Sequence, residues 1–177
     1  MQIRQASCAD LNAVMQLIRR VVPLMQAAGN RQWDDEYPNL SVFEQDVEDG
    51  QLWVAEIDHE IAGVAAVTTD QPTEYAAVGW DTTETAIVVH RLAVDPAFRG
   101  SGVGIALMRQ AETVAKEKGI ASVRVDTNSV NAVTQRLLPK LGYVYAGEIG
   151  LGFRPGLRFL CYEKKVCPAT PTEIPIS

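Results

Sequence analysis

Residues 85–94, TAIVVHRLAV, form an unbroken β-branched and apolar run that leads into VDPAFRGSGVGIALMRQAE. Gly100, Gly102 and Gly104 fall at every second position of that second stretch. Beyond the turn, Val103, Leu107, Ala111, Val114 and Ala115 recur at helical spacing, and Gly119 closes the run. Apolar periodicity thus changes from strand to helix across a glycine-rich turn. A strand apolar on both faces reads as the buried centre of a sheet.

The remaining elements fit around that unit. Ile3–Gln5 reads as a short strand, followed by Ser7 and Asp10 as a helix cap and its acidic partner. Leu11, Val14, Ile18, Val22 and Met25 mark a helix that Pro23 should kink or interrupt. Ser41 is expected to cap a second helix, VFEQDVED, which Gly50 closes. QLWVAEI and IAGVAAVTT, joined by a polar turn, read as an antiparallel hairpin. ASVRVDT is the next strand, VNAVTQRLLPKL a short helix disturbed by Pro139, and YVYAGEI and LRFLCYEKKV a final strand pair. The expected fold class is α/β: a mixed, mostly antiparallel central sheet of about six to seven strands with helices on both faces. Residues 1–166 read as one domain and residues 167–177, CPATPTEIPIS, as a proline-rich tail.

A helix start offers unpaired N–H groups and a partial positive charge. Glycine lets the backbone approach a ligand closely. Strand, glycine-rich turn and helix start therefore make a cradle for phosphate, with donors from Arg99 to Gly104. A P-loop would need Gly-Lys-Ser/Thr, and here Gly104 precedes Ile105 and Ala106. A dinucleotide fingerprint would need a third glycine where Leu107 stands, although Asp126 lies where its ribose-binding acid would be. The antiparallel hairpin upstream fits that reading poorly, and a dinucleotide-binding protein stays a minor alternative.

HRLAVDPAFRGSGVGIALMRQAE resembles the acetyl-CoA-binding motif of the GNAT superfamily of N-acetyltransferases, with Arg99, Gly102 and Gly104 at the matching positions. NAVTQRLLPKLGY is similar to a second family motif through Asn131, Lys140, Leu141, Gly142 and Tyr143. The resemblance is specific from about Ile87 to Lys164. It implies acetyl-CoA as co-substrate. The pantetheine arm would lie along Leu92, Ala93 and Val94, and the pyrophosphate on Arg99, Gly100, Ser101, Gly102, Val103 and Gly104. Asn131 would touch the arm from the following helix or serve as that helix's cap. The reaction would be N-acetyl transfer to a primary amine, through direct attack in a ternary complex, with a main-chain N–H near Leu92–Val94 stabilising the oxyanion.

Two catalytic places of the family are filled differently here. Val88 stands closest to the usual glutamate base. His90 shares its strand face and is the titratable group there with a near-neutral ordinary pKa. Glu84 has the same parity but lies at the strand's edge. Leu138 occupies the place of the usual tyrosine acid, and Tyr143 or Tyr145 is the substitute donor from the next strand. With that acid missing, a non-catalytic acetyl-CoA sensor or regulatory module is the alternative function. Trp33, Tyr37, Tyr75 and Trp80 are expected to line the acceptor pocket, with Asp34, Asp35 and Glu36 drawing in a cation.

A net charge of −6 provides no basic footprint for nucleic acid. No apolar run approaches the ~20 residues of a membrane span, and the start, MQIRQASCAD, has no signal-peptide core. The expected setting is therefore cytoplasmic, with a small-molecule amine as partner, no membrane and room for a homodimer. Cys8, Cys161 and Cys167 are odd in number and lack C-x-x-C spacing. Neither a disulfide framework nor a metal site is expected, and Cys8 and Cys161 read as buried packing.

Overall fold

The computed structural model describes residues 1–167, so the expected tail, Cys167 apart, lies outside the described residues. The chain runs β1 (Gln2–Gln5), α1 (Leu11–Ala27), α2 (Leu40–Glu48), β2 (Leu52–Ile57), β3 (Glu60–Thr68) and β4 (Ile87–Val94). It continues through α3 (Val103–Glu117), β5 (Ser122–Asn128), α4 (Ala132–Lys140), β6 (Val144–Ile149) and β7 (Phe159–Lys165). The seven strands form one sheet in the order β1-β2-β3-β4-β5-β7-β6. β4 and β5 are parallel, and every other neighbouring pair is antiparallel. The mixed, mostly antiparallel sheet with helices on both faces is therefore what the chain forms.

On one face α1 buries Val14, Leu17 and Ile18 with Phe43 of α2 against Val54, Val64 and Ala93 of the sheet. On the other, Val103, Leu107, Met108 and Ala111 of α3 and Leu138 of α4 pack on Ile87, Val89, Val123 and Val125. Helix α3 approaches β3 closely because position 63 is glycine. A Cβ there would collide with Val103 Cγ1 and stand 3.0 Å from the Ala93 carbonyl and 3.1 Å from Leu107 Cδ1.

Two helix boundaries differ from the sequence reading. Asn39, not Ser41, caps α2, its Oδ1 accepting the Val42 N–H at 3.2 Å. The cap must stand at the non-helical entry, and Asn39 is extended there while Ser41 is already inside the helix. Helix α1 is also unbroken through Pro23. The buried face on Val14, Leu17, Ile18, Val21 and Val22 supplies enough packing to carry it past the missing N–H. Ser7 behaves as expected, donating its N–H and hydroxyl to Asp10 at 2.8 and 2.9 Å.

The sheet changes character within β4. Ile87 and Val88 pair with Val123 and Arg124 of β5, and the two strands then separate. On its other side β4 stays paired with β3 as far as Val94, through a bulge in which Arg91 and Leu92 oppose Ala65. Arg91 adopts φ 53°, a left-handed conformation that costs a non-glycine residue ~1–3 kcal/mol. Its guanidinium is held from across the fold. Nε and an Nη donate to the two oxygens of buried Asp46 on α2 at 2.7 and 2.6 Å, and the second Nη donates to the Tyr37 hydroxyl at 3.2 Å. The extra residue reverses the facing of the strand. Ile87 and Val89 lie on the α3 side before it; Leu92 and Val94 take that side after it.

Candidate functional site

Where β4 and β5 part, a groove of about 870 Å³ opens. One end is the turn into α3. Asp95 shapes that turn by accepting the Ala97 N–H at 2.9 Å, and Arg20 of α1 clamps the same carboxylate at 2.8 Å. The N–H groups of Arg99 and Ser101 are consumed within the turn, by the Pro96 and Phe98 carbonyls. Those of Gly100, Gly102, Val103, Gly104 and Ile105 have no acceptor among the described residues. Gly102, at φ 80°, is the N-cap from which they fan out. The donor set therefore differs from the expected run Arg99–Gly104: Arg99 and Ser101 withdraw their N–H groups, and Ser101 does not line the groove. The remaining donors, set on a helix start, fit a diphosphate. Arg99, Arg136 and Lys140, none of them in a salt bridge among the described residues, surround this end.

Leu92, Ala93 and Val94 form the β4 wall, and Asn131 lies opposite. Asn131 is the cap of α4, its Oδ1 accepting the Thr134 N–H at 3.3 Å, so one residue both starts the helix and faces the groove. Exposed apolar side chains, Leu24, Ile105, Val130 and Val133, cluster on these walls. Such surface without a protein partner marks a ligand site.

Residues of the 28–39 loop wall the far end of the groove, here called the chamber. Trp33, Tyr37 and Phe153 line it, with the Tyr37 and Phe153 ring centroids 5.9 Å apart. Gln32 fixes the loop to β5 by accepting the Asn128 N–H at 3.3 Å. His90 and Asp126 reach the chamber from β4 and β5. His90 Nε2 is 3.1 Å from the Asp70 carbonyl, which fixes the N–H on Nε2 and leaves Nδ1 free as an acceptor. Burial lowers its pKa, so the ring is neutral at neutral pH. Asp126 accepts the Tyr75 hydroxyl at 2.7 Å, and burial raises its carboxyl above the ordinary range. Sequence reasoning met Asp126 only as a ribose ligand; nothing local in VRVDT signals its place beside His90.

Several expected site residues lie elsewhere. Tyr75 does not line the groove: its ring is core, edge-on to Trp80 at 4.8 Å, and only its hydroxyl reaches Asp126. Trp80 faces the β6–β7 side, with the buried Arg124 guanidinium 4.9 Å above its ring. Both follow from the apolar cluster they form with Val88 and Phe159, which outweighs exposure to a pocket. Tyr143 is also outside the groove. Its hydroxyl is buried beside the Glu112 carboxylate of α3, and burial followed by that carboxylate's charge pushes its pKa well up. Tyr145 is exposed on β6, and Leu138 is core. Asp34 is engaged by Arg154 at 2.6 Å, and Asp35, Glu36 and Glu84 do not line the groove. Cys161 is buried as expected, but Cys8 is exposed, at the start of a single turn, Cys8–Asp10, that buries none of its residues.

Residues 15–143 match the model of the acetyltransferase (GNAT) family. An uncharacterized N-acetyltransferase, YesJ, of Bacillus subtilis is 25% identical over 148 residues, 81% of this chain and 82% of its own. A GNAT-family acetyltransferase structure from Streptococcus agalactiae superposes with a TM-score of 0.80 at 31% identity, covering 93% of this chain and 94% of the other. The fold is also shared, at TM-score 0.71 and 22% identity over 98% and 99% of the two chains, by yncA, a putative acetyltransferase of Salmonella typhimurium solved with acetyl-CoA. Among the described residues no helix is long and apolar enough to cross a membrane. The chain belongs to the acetyltransferase (GNAT) family: it is an acyltransferase whose co-substrate is acetyl-CoA.

Proposed function

We propose that this enzyme moves the acetyl group of acetyl-CoA to a primary amine of a small molecule, by direct attack in a ternary complex, in the cytoplasm. The observation that carries this is a single groove lined both by the unpaired N–H groups at the start of α3 and by Trp33, Tyr37 and Phe153. Val103 and Gly104 main-chain donors, with Gly100 and Gly102, would hold the diphosphate, and the free main-chain edge of Leu92–Val94 the pantetheine arm. The 28–39 loop over this end of the groove, pinned to β5 through Gln32, favours a compact acceptor over a protein chain. Direct attack is favoured because no cysteine lines the groove: Cys161 is core and Cys8 and Cys167 lie elsewhere.

His90 is the proton acceptor in this reading. An incoming ammonium gives one proton to Nδ1, whose partner nitrogen is anchored on Asp70. The freed nitrogen forms the C–N bond as the C–S bond breaks and its electron pair leaves on sulfur. The second amine proton ends on the thiolate, so the reaction needs no tyrosine acid. An acid or base of this kind contributes ~10²–10⁴-fold.

Calorimetry with acetyl-CoA, followed by a thiol-release assay over amino acids, polyamines, aminoglycosides and aryl-alkyl amines, tests the reading. Acetyl-CoA should bind and at least one amine should be turned over. Tight binding with no acceptor in the whole panel would replace catalysis with the sensor reading.

A further inference from the structure

We infer that Asp126 is the anchor for the acceptor's ammonium group, and that the acceptor is a primary amine carried on an apolar or aromatic body with no carboxylate beside the amine. This rests on the amine-acceptor reading above.

The groove is electrically divided. Its cradle end gathers Arg99, Arg136 and Lys140, all without a salt-bridge partner among the described residues. Its chamber end has two charged side chains, Arg91 and Asp126. Arg91 is already neutralised: Asp46 takes Nε and one Nη, and Tyr37 takes the other. Asp126 has no salt-bridge partner among the described residues. The groups facing it are the Tyr75 hydroxyl, His90 of β4, Glu74 beside Tyr75, and the Cys161 thiol on the β7 residue opposite. His90 is held neutral by burial, so none of these supplies a positive charge.

A carboxylate kept in such surroundings destabilises its own ionised form, and a bound cation removes that penalty. Part of its surface opens onto the chamber, so the cation can come from a ligand. Trp33, Tyr37 and Phe153 then supply apolar walls, the Tyr37 and Phe153 rings already carrying the Arg154 guanidinium 5.4 and 6.0 Å from their centroids. Arg154, the cation over those rings, is held by Asp34 at 2.6 Å and does not line the groove, so among the described residues a carboxylate on the acceptor would find no unpaired cation lining the chamber. It would also meet Asp126 as a like charge. Amino acids are therefore disfavoured relative to their decarboxylated amines. Tyr75 is a positioning residue, since its hydroxyl fixes the Asp126 oxygen at 2.7 Å and favours the ionised form.

The probes are phenethylamine and phenylalanine, titrated by calorimetry into wild-type enzyme saturated with unreactive coenzyme A. Phenethylamine should bind at least about tenfold more tightly than phenylalanine. Because a bound ammonium favours the ionised carboxyl, titrations run from neutral into acid pH should release a proton wherever free Asp126 is still protonated, seen as a heat that differs between buffers of different ionisation enthalpy. Asp126→Asn should abolish the proton release and weaken phenethylamine at least about tenfold, with coenzyme A affinity unchanged. Asp126→Glu should restore part of both. Tyr75→Phe should move the acid limb of the pH profile of kcat/KM to higher pH, because it removes a hydrogen bond that stabilises the carboxylate. The wild-type proton release keeps the test standing if a variant folds poorly.

The inference is overturned if phenylalanine binds as well as phenethylamine, or if no proton is released at any pH of the series. It also fails if Asp126→Asn binds phenethylamine unchanged. Turnover of another amine with no phenethylamine binding overturns it while leaving the amine reading intact. If no amine is acetylated at all, that reading itself has failed.

Discussion

Gly63→Ala tests whether the sheet positions the cradle. The new Cβ would overlap Val103 Cγ1 and stand 3.1 Å from Leu107 Cδ1, against an optimum of ~3.5–4.0 Å between carbons. It would also press on the Ala93 carbonyl, which cannot rotate away. Leu107 must retreat by ~0.5 Å and Val103 by more, which lifts the first turns of α3 off β3. Overpacking of this size destabilises by ~1–3 kcal/mol, or ~2–4 °C in Tm for each kcal/mol in a chain of this length. Val103 also carries one of the unpaired donors. Displacing a donor to a charged group forfeits up to ~1.5–3 kcal/mol, so acetyl-CoA affinity should fall about tenfold as well. Urea unfolding and calorimetry measure the two effects on the same samples. Val103→Ala should rescue the variant, with a coupling of ~1 kcal/mol or more in the double-mutant cycle. Unchanged stability and affinity in Gly63→Ala would refute the argument, and so would additive behaviour of the pair.

Gly104→Ala should separate folding from binding. Its Cβ would meet Leu137 and Val94 at ordinary distances of 3.5 and 3.7 Å, so thermal melting should hold or rise while calorimetric acetyl-CoA affinity falls. Tyr143→Phe removes a hydroxyl buried beside Glu112 and outside the groove, and should leave kcat unchanged, with thermal stability altered by no more than ~1 kcal/mol. Arg91→Ala strands buried Asp46 and should lose ~3–5 kcal/mol in urea unfolding. Arg91→Gly should be ~1 kcal/mol less damaging, because it relieves the left-handed backbone. Asp126→Asn should gain stability over wild type at neutral pH. The folded carboxyl titrates above its ordinary 3.8, so the wild-type contribution is present below that value and lost as pH rises through the folded pKa. The gap should close in acid.

What the sequence disclosed was local. The change of period at Gly100–Gly104 needs only φ angles and side-chain spacing, both carried by adjacent residues. The Arg91 bulge had no such signal. Arginine rarely takes φ > 0, and what holds it there is a carboxylate 45 positions away. Because the bulge reverses facing, strict alternation along TAIVVHRLAV misplaces everything after His90. Tyr75 shows a second limit. An aromatic in a polar loop reads as pocket wall, yet its ring is core and only its hydroxyl approaches the site. Trp33 and Tyr37, in a comparable loop, do reach the chamber. Which outcome applies depends on packing partners more than a hundred residues away for Phe153 and on β4 for Arg91.

The separation of β4 from β5 after two paired positions leaves two facing rows of backbone groups with no strand between them. Hydrogen exchange should treat the molecule as two cooperative units, β1–β4 and β5–β7, joined by a short seam at Ile87–Val88 and by α3. A ligand arm bearing amide groups can complete both rows at once, as an added strand does in β-augmentation. Acetyl-CoA would then be part of the secondary structure as well as a reactant. Its arrival should slow amide exchange on both sides of the gap together, and its departure after each turnover should release them together.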